Sequence, residues 1–239
     1  MKHAATPEEL MAVMEDTACR DYHKAWLAKF VTADDRCLKL KAAVRRLLVH
    51  PYPTILITGP SGHGKELLAR ALHMQPSAPF VAVNMAALPA TLLSSILFGH
   101  MKGSFTGATD TRPGVFEAAG SGTVFLDEIG DMPEDQQPAL LRVLAEREVY
   151  KVGATSAEPI HCRVIAATNR PAELRPDLMG RLMAVHLDIP PLLQRPDDLR
   201  LIAESLGLTP ADYAGHNSHI EAYGVRYLQA LSTRKTLGL

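Results

Sequence analysis

Cysteine is scarce: Cys19, Cys37 and Cys162 are the three in 239 residues. They form no CxxC pair and leave an odd count, so a disulfide scaffold is excluded and a reduced compartment fits. Charge of one sign is lacking too. The formal net charge is −1, so no global electrostatic footprint points to nucleic acid. No apolar run approaches the roughly 20 residues of a membrane span. The opening MKHAATPEEL has no apolar segment of the kind a secretory signal needs. The histidines show no HExxH or comparable spacing for a metal, and there is no internal repeat or low-complexity tract. These absences leave a soluble, cytoplasmic protein without membrane contact as the expectation. What is present is a hydrophobic fraction of 47%, ample for a core and against disorder.

Residues 1–34 read as a helical segment, with Thr6-Pro7 as an N-cap and first-turn pair. In DDRCLKLKAAVRRLLVH, Leu38, Ala42, Val44, Leu47 and Leu48 fall on roughly one helical face. The period then changes. Ile55, Leu56 and Ile57 form a short apolar run, as in a parallel strand buried on both faces. PFVAVN, GTVFLDEI, CRVIAATN and AVHLDIP read as further strands; LPATLLSSILF and EDQQPALLRVLAERE read as helices between them. Strands alternating with helices predict an α/β fold, a parallel sheet with helical crossovers, over residues 35–190. Beyond Pro190-Pro191 the pattern is helical and thin, a short C-terminal helical element over 191–239.

Gly59-Pro60-Ser61-Gly62-His63-Gly64-Lys65 satisfies GxxxxGK, with a buried strand before it and a helix after it. The glycines let backbone N–H groups turn inward on phosphates, and the helix adds its positive N-terminal end. Lys65 would reach the β- and γ-phosphates as a point charge. The bland alternative is an ordinary glycine turn. Glu66 stands where the general motif has Ser or Thr, so no hydroxyl there holds magnesium. His63 is given no chemistry beyond its place in the loop. Val124-Phe125-Leu126-Asp127-Glu128 is an apolar strand ending in two carboxylates at the sheet's carboxyl edge. Asp127 can hold a hydrated Mg2+ and Glu128 can take the proton of an attacking water. Thr168 and Asn169 end a further strand, where polar groups can sense a γ-phosphate.

FGHMKGSFTGATD, residues 98–110, fits neither helical nor strand periodicity. Its glycines read as a loop, yet the loop carries Phe105. The ring either folds back into the core or meets a partner surface.

Taken in order, these motifs resemble the AAA+ domain of bacterial enhancer-binding proteins, the activators of sigma-54 RNA polymerase. The resemblance covers about residues 35–200. The family's GAFTGA loop is here Gly103-Ser104-Phe105-Thr106-Gly107-Ala108, preceded by the family's LFGH as Leu97-Phe98-Gly99-His100. GTVFLDEIGDM and LLRVLAEREVYKVG match the family closely, and a glutamate at Glu66 is usual in it. The resemblance implies a P-loop ATPase using ATP and Mg2+. It implies a homo-oligomeric ring, a hexamer, and a loop 103–108 that contacts sigma-54 RNA polymerase. It implies that Arg175 and Arg181, in LRPDLMGRL, reach the nucleotide of the neighbouring subunit. It also implies that Asn84 holds the catalytic Glu128 until the γ-phosphate is sensed.

Four features depart from the family. Ile96 replaces the glutamate of SELFGH, so coupling between site and loop is expected to differ. The family's GNVREL segment, whose arginine touches the nucleotide, has no match after residue 200; Arg200, Arg226 and Arg234 lie in unmatched context. No helix-turn-helix pattern supports direct DNA binding, and residues 1–50 show no receiver or ligand-sensing domain. Two functions follow. One is an ATP-hydrolysing motor that remodels sigma-54 polymerase to activate transcription. The other is a shortened nucleotide-binding regulatory subunit that joins rings of a full-length activator without productive turnover.

Overall fold

Alternating side chains on three central strands decide the architecture. In the strand Thr54–Thr58, Leu56 points to one face while Ile55 and Ile57 point to the other. Val124 and Leu126 oppose Phe125 in Thr123–Asp127, and Val164 and Ala166 oppose Ile165 and Ala167 in Arg163–Thr168. Both faces are therefore apolar and both must be covered, which a parallel sheet achieves with crossover helices. Each large aliphatic or aromatic side chain so buried contributes about 1.5–3 kcal/mol relative to exposure.

The computed structural model describes residues 17–48 and 54–237; the helix start at Thr6-Pro7 lies outside the described residues. In chain order the elements are α1 (Thr17–Lys29), α2 (Asp35–Leu48), β1 (Thr54–Thr58), α3 (Lys65–Ala71) and β2 (Phe80–Asn84). Next come α4 (Ala90–Phe98), β3 (Gly99–His100), β4 (Arg112–Pro113), α5 (Val115–Ala119), β5 (Thr123–Asp127) and α6 (Gln137–Glu146). They are followed by β6 (Glu148–Val149), β7 (Glu158–Pro159), β8 (Arg163–Thr168), α7 (Pro176–Leu182) and β9 (His186–Asp188). The C-terminal helices are α8 (Pro196–Ser205), α9 (Pro210–Tyr213), α10 (Asn217–Tyr223) and α11 (Val225–Leu237).

The main sheet has the order β2-β5-β8-β1-β9, and every pairing is parallel. Strand order reverses around β1 and β8, so the loops after their carboxyl ends face a common crevice, the usual ligand position of an open α/β sheet. The strands and helices expected from 54 to 188 are all present. The helices after residue 195 bury a separate cluster of Leu192, Ile202, Ala203, Leu208, Ile220 and Leu228, a small lid with its own core.

The expected face of α2 holds at Val44, Leu47 and Leu48 and fails at its start. Cys37, Val44, Leu47 and Leu48 are buried, whereas Leu38 is 45% exposed and Ala42 only half-buried. Positions 37, 44 and 48 lie on one stripe at the helical period. Leu38, one residue on from Cys37, is turned about 100° away from it. Arg163 is a buried cation at the start of β8. Its guanidinium donates to the carbonyls of Leu72 (2.7 Å) and Leu47 (3.2 Å), tying together the ends of α3 and α2, and burial lowers its pKa to about 10. Burial also pushes the Cys162 thiol up to about 11. All three cysteines are buried and none is in a disulfide.

Among the described residues no helix is long and apolar enough to cross a membrane.

Candidate nucleotide site

The turn from β1 into α3 carries Gly59 to Lys65. Lys65 is 5% exposed, and its ammonium donates to the carbonyls of Gly59 (3.0 Å) and Pro60 (3.2 Å), so the side chain holds its own loop in a curl. It also meets Glu128 Oε1 at 3.3 Å. Ser61 Oγ lies 3.5 Å from the same oxygen, and the Asn169 backbone N–H donates to Glu128 Oε2 at 3.3 Å. The end of β1, the end of β5 and the loop after β8 thus converge on one carboxylate. Glu128 adopts φ 50°, one of two non-glycine residues with positive φ among the described residues. That conformation costs of order 1 kcal/mol or more. It turns the carboxylate from the strand end toward the phosphate loop.

Asp127 precedes it, half-buried, with Oδ1 accepting the Glu128 N–H at 3.1 Å. Burial, then the adjacent Glu128 charge, raises its pKa. A desolvated carboxylate beside a like charge gains from a cation. Among the described residues no cluster of three or more His, Cys, Asp or Glu could cage a metal. One carboxylate with water and phosphate oxygens is a donor set that suits Mg2+, which keeps several waters and leans on substrate phosphates. Glu66 is committed elsewhere, paired with Arg70 at 2.8 Å.

These groups line a cavity of about 390 Å³, within the range of small-molecule sites. Ser61 to Glu66 with Asp127 and Glu128 supply much of its polar lining; Phe30, Val31, Leu67, Ile202 and Leu206 supply apolar lining, with Lys29, Arg195, Arg226 and Gln229 among them. One wall therefore comes from the connector between α1 and α2 and the other from lid helix α8.

His63 is buried, with Nδ1 2.8 Å from the Ser61 carbonyl and its pKa lowered, first by burial. The ring sits under Gly224, where an added Cβ would approach His63 Nδ1 to 2.7 Å. Gly62 (φ +76°) faces the same lid segment: a Cβ there would lie 2.1 Å from the Tyr223 carbonyl, while Val225 N–H donates to the Gly62 carbonyl at 3.2 Å. Backbone-to-backbone approach leaves room only for glycine.

This contact corrects one expectation. Arg226 follows Val225 and lines the cavity, so the lid does bring an arginine to the site. Gly224-Val225-Arg226-Tyr227-Leu228 keeps the glycine, valine, arginine and leucine of GNVREL in a segment one residue shorter. Allowing one deletion would have found it.

The other expected residues are distributed as follows. Asn84 ends β2 in register with Asp127; among the described residues no hydrogen bond joins its side chain to Glu128. The Thr168 side chain is fully buried and its hydroxyl accepts the Arg170 N–H at 2.9 Å, which makes it part of the turn after β8. Asn169 is exposed and reaches Glu128 through its main chain. Arg175 pairs with Asp177 at 2.8 Å, and Arg181 donates to the carbonyls of Ala145 (3.0 Å) and Leu144 (3.3 Å). Neither lines the cavity of its own chain.

Loop 103–108 caps the β3–β4 hairpin, remote in sequence from the phosphate loop. Gly103 N–H donates to the Ala108 carbonyl at 2.8 Å and closes the loop on itself. Ala108 is buried, Ser104 packs against Gly153, and Thr106 is exposed. Gly103 and Gly107 have positive φ and open space around them. Phe105 is 40% exposed, its ring edge-on to His100 at 5.0 Å, above a hollow also lined by Leu92, Ile96 and Arg112. Ile96 packs against the core, so an apolar contact stands where the resemblance implies a carboxylate. Main-chain bonds from Met101 N–H to the Val152 carbonyl (3.0 Å) and from Val152 N–H to the Gly99 carbonyl (2.9 Å) tie this hairpin to the β6–β7 hairpin.

Residues 30–188 match the family model of the sigma-54 interaction domain. The chain is 50% identical over 161 residues to the DNA-binding transcriptional activator HyfR of Escherichia coli, covering 63% of this chain and 24% of that protein. It is 42% identical over 218 residues to the transcriptional regulatory protein GlrR of E. coli, covering 87% and 48%. To the DNA-binding transcriptional regulator NtrC of Klebsiella pneumoniae it is 49% identical over 160 residues, covering 63% and 34%. Crystal structures of NtrX from Brucella abortus superpose with TM-score 0.73 for the ADP complex and 0.71 for the ATP complex. Their identities are 30% and 32%; each alignment covers 85% of this chain, and 49% and 51% of NtrX respectively. The chain spans half or less of the length of the curated relatives. With a P-loop, an Asp-Glu strand end and the loop 103–108 all in place on an AAA+ sheet, the chain belongs to the sigma-54 interaction domain family of transcriptional activators.

Proposed function

We propose that this chain is the ATPase core of a sigma-54-dependent activator: it hydrolyses ATP in a homo-oligomeric ring, a hexamer, and uses loop 103–108 to remodel sigma-54 RNA polymerase. The observation that carries this reading is the convergence on Glu128. A carboxylate held between Lys65, Ser61 and the Asn169 N–H, at the mouth of a phosphate loop, is positioned as a general base for water. The backbone of Gly59 to Gly64 and the Lys65 ammonium bind the phosphate chain. Asp127 would hold Mg2+, which supplies charge neutralisation at the phosphates when bound. In the free protein Lys65 and Glu128 neutralise each other. A bound γ-phosphate competes for the lysine and releases the carboxylate to accept a proton from water.

Arg175 and Arg181 stand away from their own cavity, which supports a role toward a neighbouring subunit's nucleotide. Arginines supplied across a subunit boundary make hydrolysis depend on assembly. ATP turnover per subunit is therefore expected to rise with protein concentration and then saturate. Low, concentration-independent turnover with retained ATP binding would instead favour a regulatory subunit that needs a full-length partner. Arg226 at the cavity speaks for the motor.

The loop supplies the second prediction. Phe105→Ala removes a ring that rests on His100 only at its edge, so the loss of stability is expected to be below about 1 kcal/mol. ATP turnover should stay within about twofold, whereas sigma-54-dependent transcription in a reconstituted assay should fall to background. Parallel loss of both activities would make the loop part of the fold rather than a contact.

A further inference from the structure

The two apolar walls of the nucleotide cavity come from distant parts of the chain. Phe30 and Val31 belong to the connector between α1 and α2; Ile202 and Leu206 belong to the C-terminal half of lid helix α8 and its end. One fully buried carboxylate joins them. Asp198, in the first turn of α8, is 0% exposed. Its Oδ1 accepts the backbone N–H groups of Ala33 (2.5 Å) and Asp34 (3.1 Å), and its Oδ2 accepts the Thr32 hydroxyl at 2.7 Å. Arg195, 2% exposed, donates to Asp198 Oδ2 at 2.8 Å and to Cys37 Sγ at 3.4 Å, and its guanidinium lies 6.0 Å from the Phe30 ring centroid. Arg195 itself lines the cavity. A further bond runs from Arg36 Nη2 to the Gln194 carbonyl at 2.7 Å.

The lid is fastened far more firmly at this end than at the other. On the phosphate side the main-chain link between lid and loop is Val225 N–H to the Gly62 carbonyl. At the connector, three donors from residues 32–34 converge on one desolvated carboxylate, which Arg195 of its own segment also pairs. A buried carboxylate with all its donors in place is rigid, because any movement leaves a charge without partners.

We propose that Asp198 is a positioning residue for the nucleobase: by clasping the 32–34 connector to α8, it holds the two apolar walls at the spacing that an aromatic base needs. This rests on the nucleotide-binding reading given above and adds to it a residue that touches neither base nor phosphate. The clasp separates the cavity into two functions. The phosphate end is built by residues 59–65, none of which is bonded to Asp198. The base end depends on Asp198, because a base gains its affinity from apolar surface pressed on both sides, and a wall displaced by a fraction of an ångström forfeits much of that contact.

The test compares ATP with inorganic tripolyphosphate, which carries the phosphates and no base, on the full chain by calorimetric titration. Asp198→Asn keeps the volume, removes the charge opposite Arg195 and turns one acceptor into a donor. The expected result is ATP affinity weaker by about tenfold with tripolyphosphate affinity not weakened, since the freed Arg195 charge favours an anion; the tenfold change corresponds to about 1.4 kcal/mol. Thr32→Val removes one donor without leaving a buried charge unpaired; it serves should the first variant fail to fold, and is expected to weaken ATP by about two- to threefold with the same selectivity. Equal loss of both ligands would make the clasp a general stability element and overturn the proposal. Unchanged ATP affinity in both variants would overturn it as well. Wild-type protein that binds neither ligand would fail differently, by removing the nucleotide-binding reading on which the clasp depends.

Discussion

Glu128→Gln is expected to lower ATP turnover by about 10²–10⁴-fold, the range a positioned general base contributes, with nucleotide affinity within a small factor of wild type. The two side chains have nearly the same shape. Glutamine can keep an acceptor toward Ser61 and Lys65 and can fill the place that Glu128 occupies with φ 50°. It cannot accept the proton of an attacking water. The Lys65 ammonium retains its two bonds to the Gly59 and Pro60 carbonyls, so the loop keeps its curl and the phosphate subsite survives. Steady-state hydrolysis measured beside equilibrium binding separates the two properties. Turnover close to wild type would remove Glu128 from the role of base and shift attention to a water held by other groups. Loss of binding along with turnover would mean that the carboxylate supports the loop structurally. The same variant should keep ATP bound without consuming it, which makes it the form in which ring assembly around the nucleotide is best measured.

The parts of the site that the sequence makes legible are those fixed by short-range backbone chemistry. Residues 59–65 need their glycines in one order, and an apolar strand ending in Asp127-Glu128 can only present its carboxylates at the sheet edge. Local spacing therefore places them without knowledge of anything distant. The errors arise where a neighbour far along the chain decides. At the start of α2 the buried residue is Cys37, whose sulfur accepts a hydrogen bond from Arg195, 158 residues away, while Leu38 is left to solvent. Thr168 ends its strand as expected, and its hydroxyl also accepts the Arg170 N–H, a contact made by the turn that follows. Arg226 escapes a motif read without gaps, although the close approach of Gly62 to Tyr223 brings its segment to the phosphate loop. The Asp198 clasp has no local signature at all: an aspartate in the first turn of a helix ordinarily serves the helix dipole, and only the fold shows it bonded to residues 32–34.

Lys65→Ala should have the largest effect on binding. The ammonium is buried, so in the bound state it meets phosphate oxygens in a water-poor setting. Charge-assisted hydrogen bonds of this kind contribute roughly 1.5–3 kcal/mol each, so ATP affinity is expected to fall by about 10- to 100-fold. Turnover would fall further, because the developing charge on the γ-phosphate loses its cation. The free protein should also respond. Without the lysine, the carbonyls of Gly59 and Pro60 lose their donor and the Glu128 carboxylate, mostly buried, loses its cation at 3.3 Å. Thermal unfolding of the Lys65→Ala protein should therefore occur at lower temperature than wild type. Glu128→Gln in the same chain should recover part of that loss, since it removes the carboxylate that was left unpaired. The two changes together are expected to be less destabilising than the sum of each alone by about 1 kcal/mol, a coupling typical of directly contacting charged groups. Strict additivity would mean that Lys65 and Glu128 do not form a working pair in the free protein. In that case the γ-phosphate would have no bond to break when it draws the lysine away, and the carboxylate would stand ready for water before any nucleotide arrives.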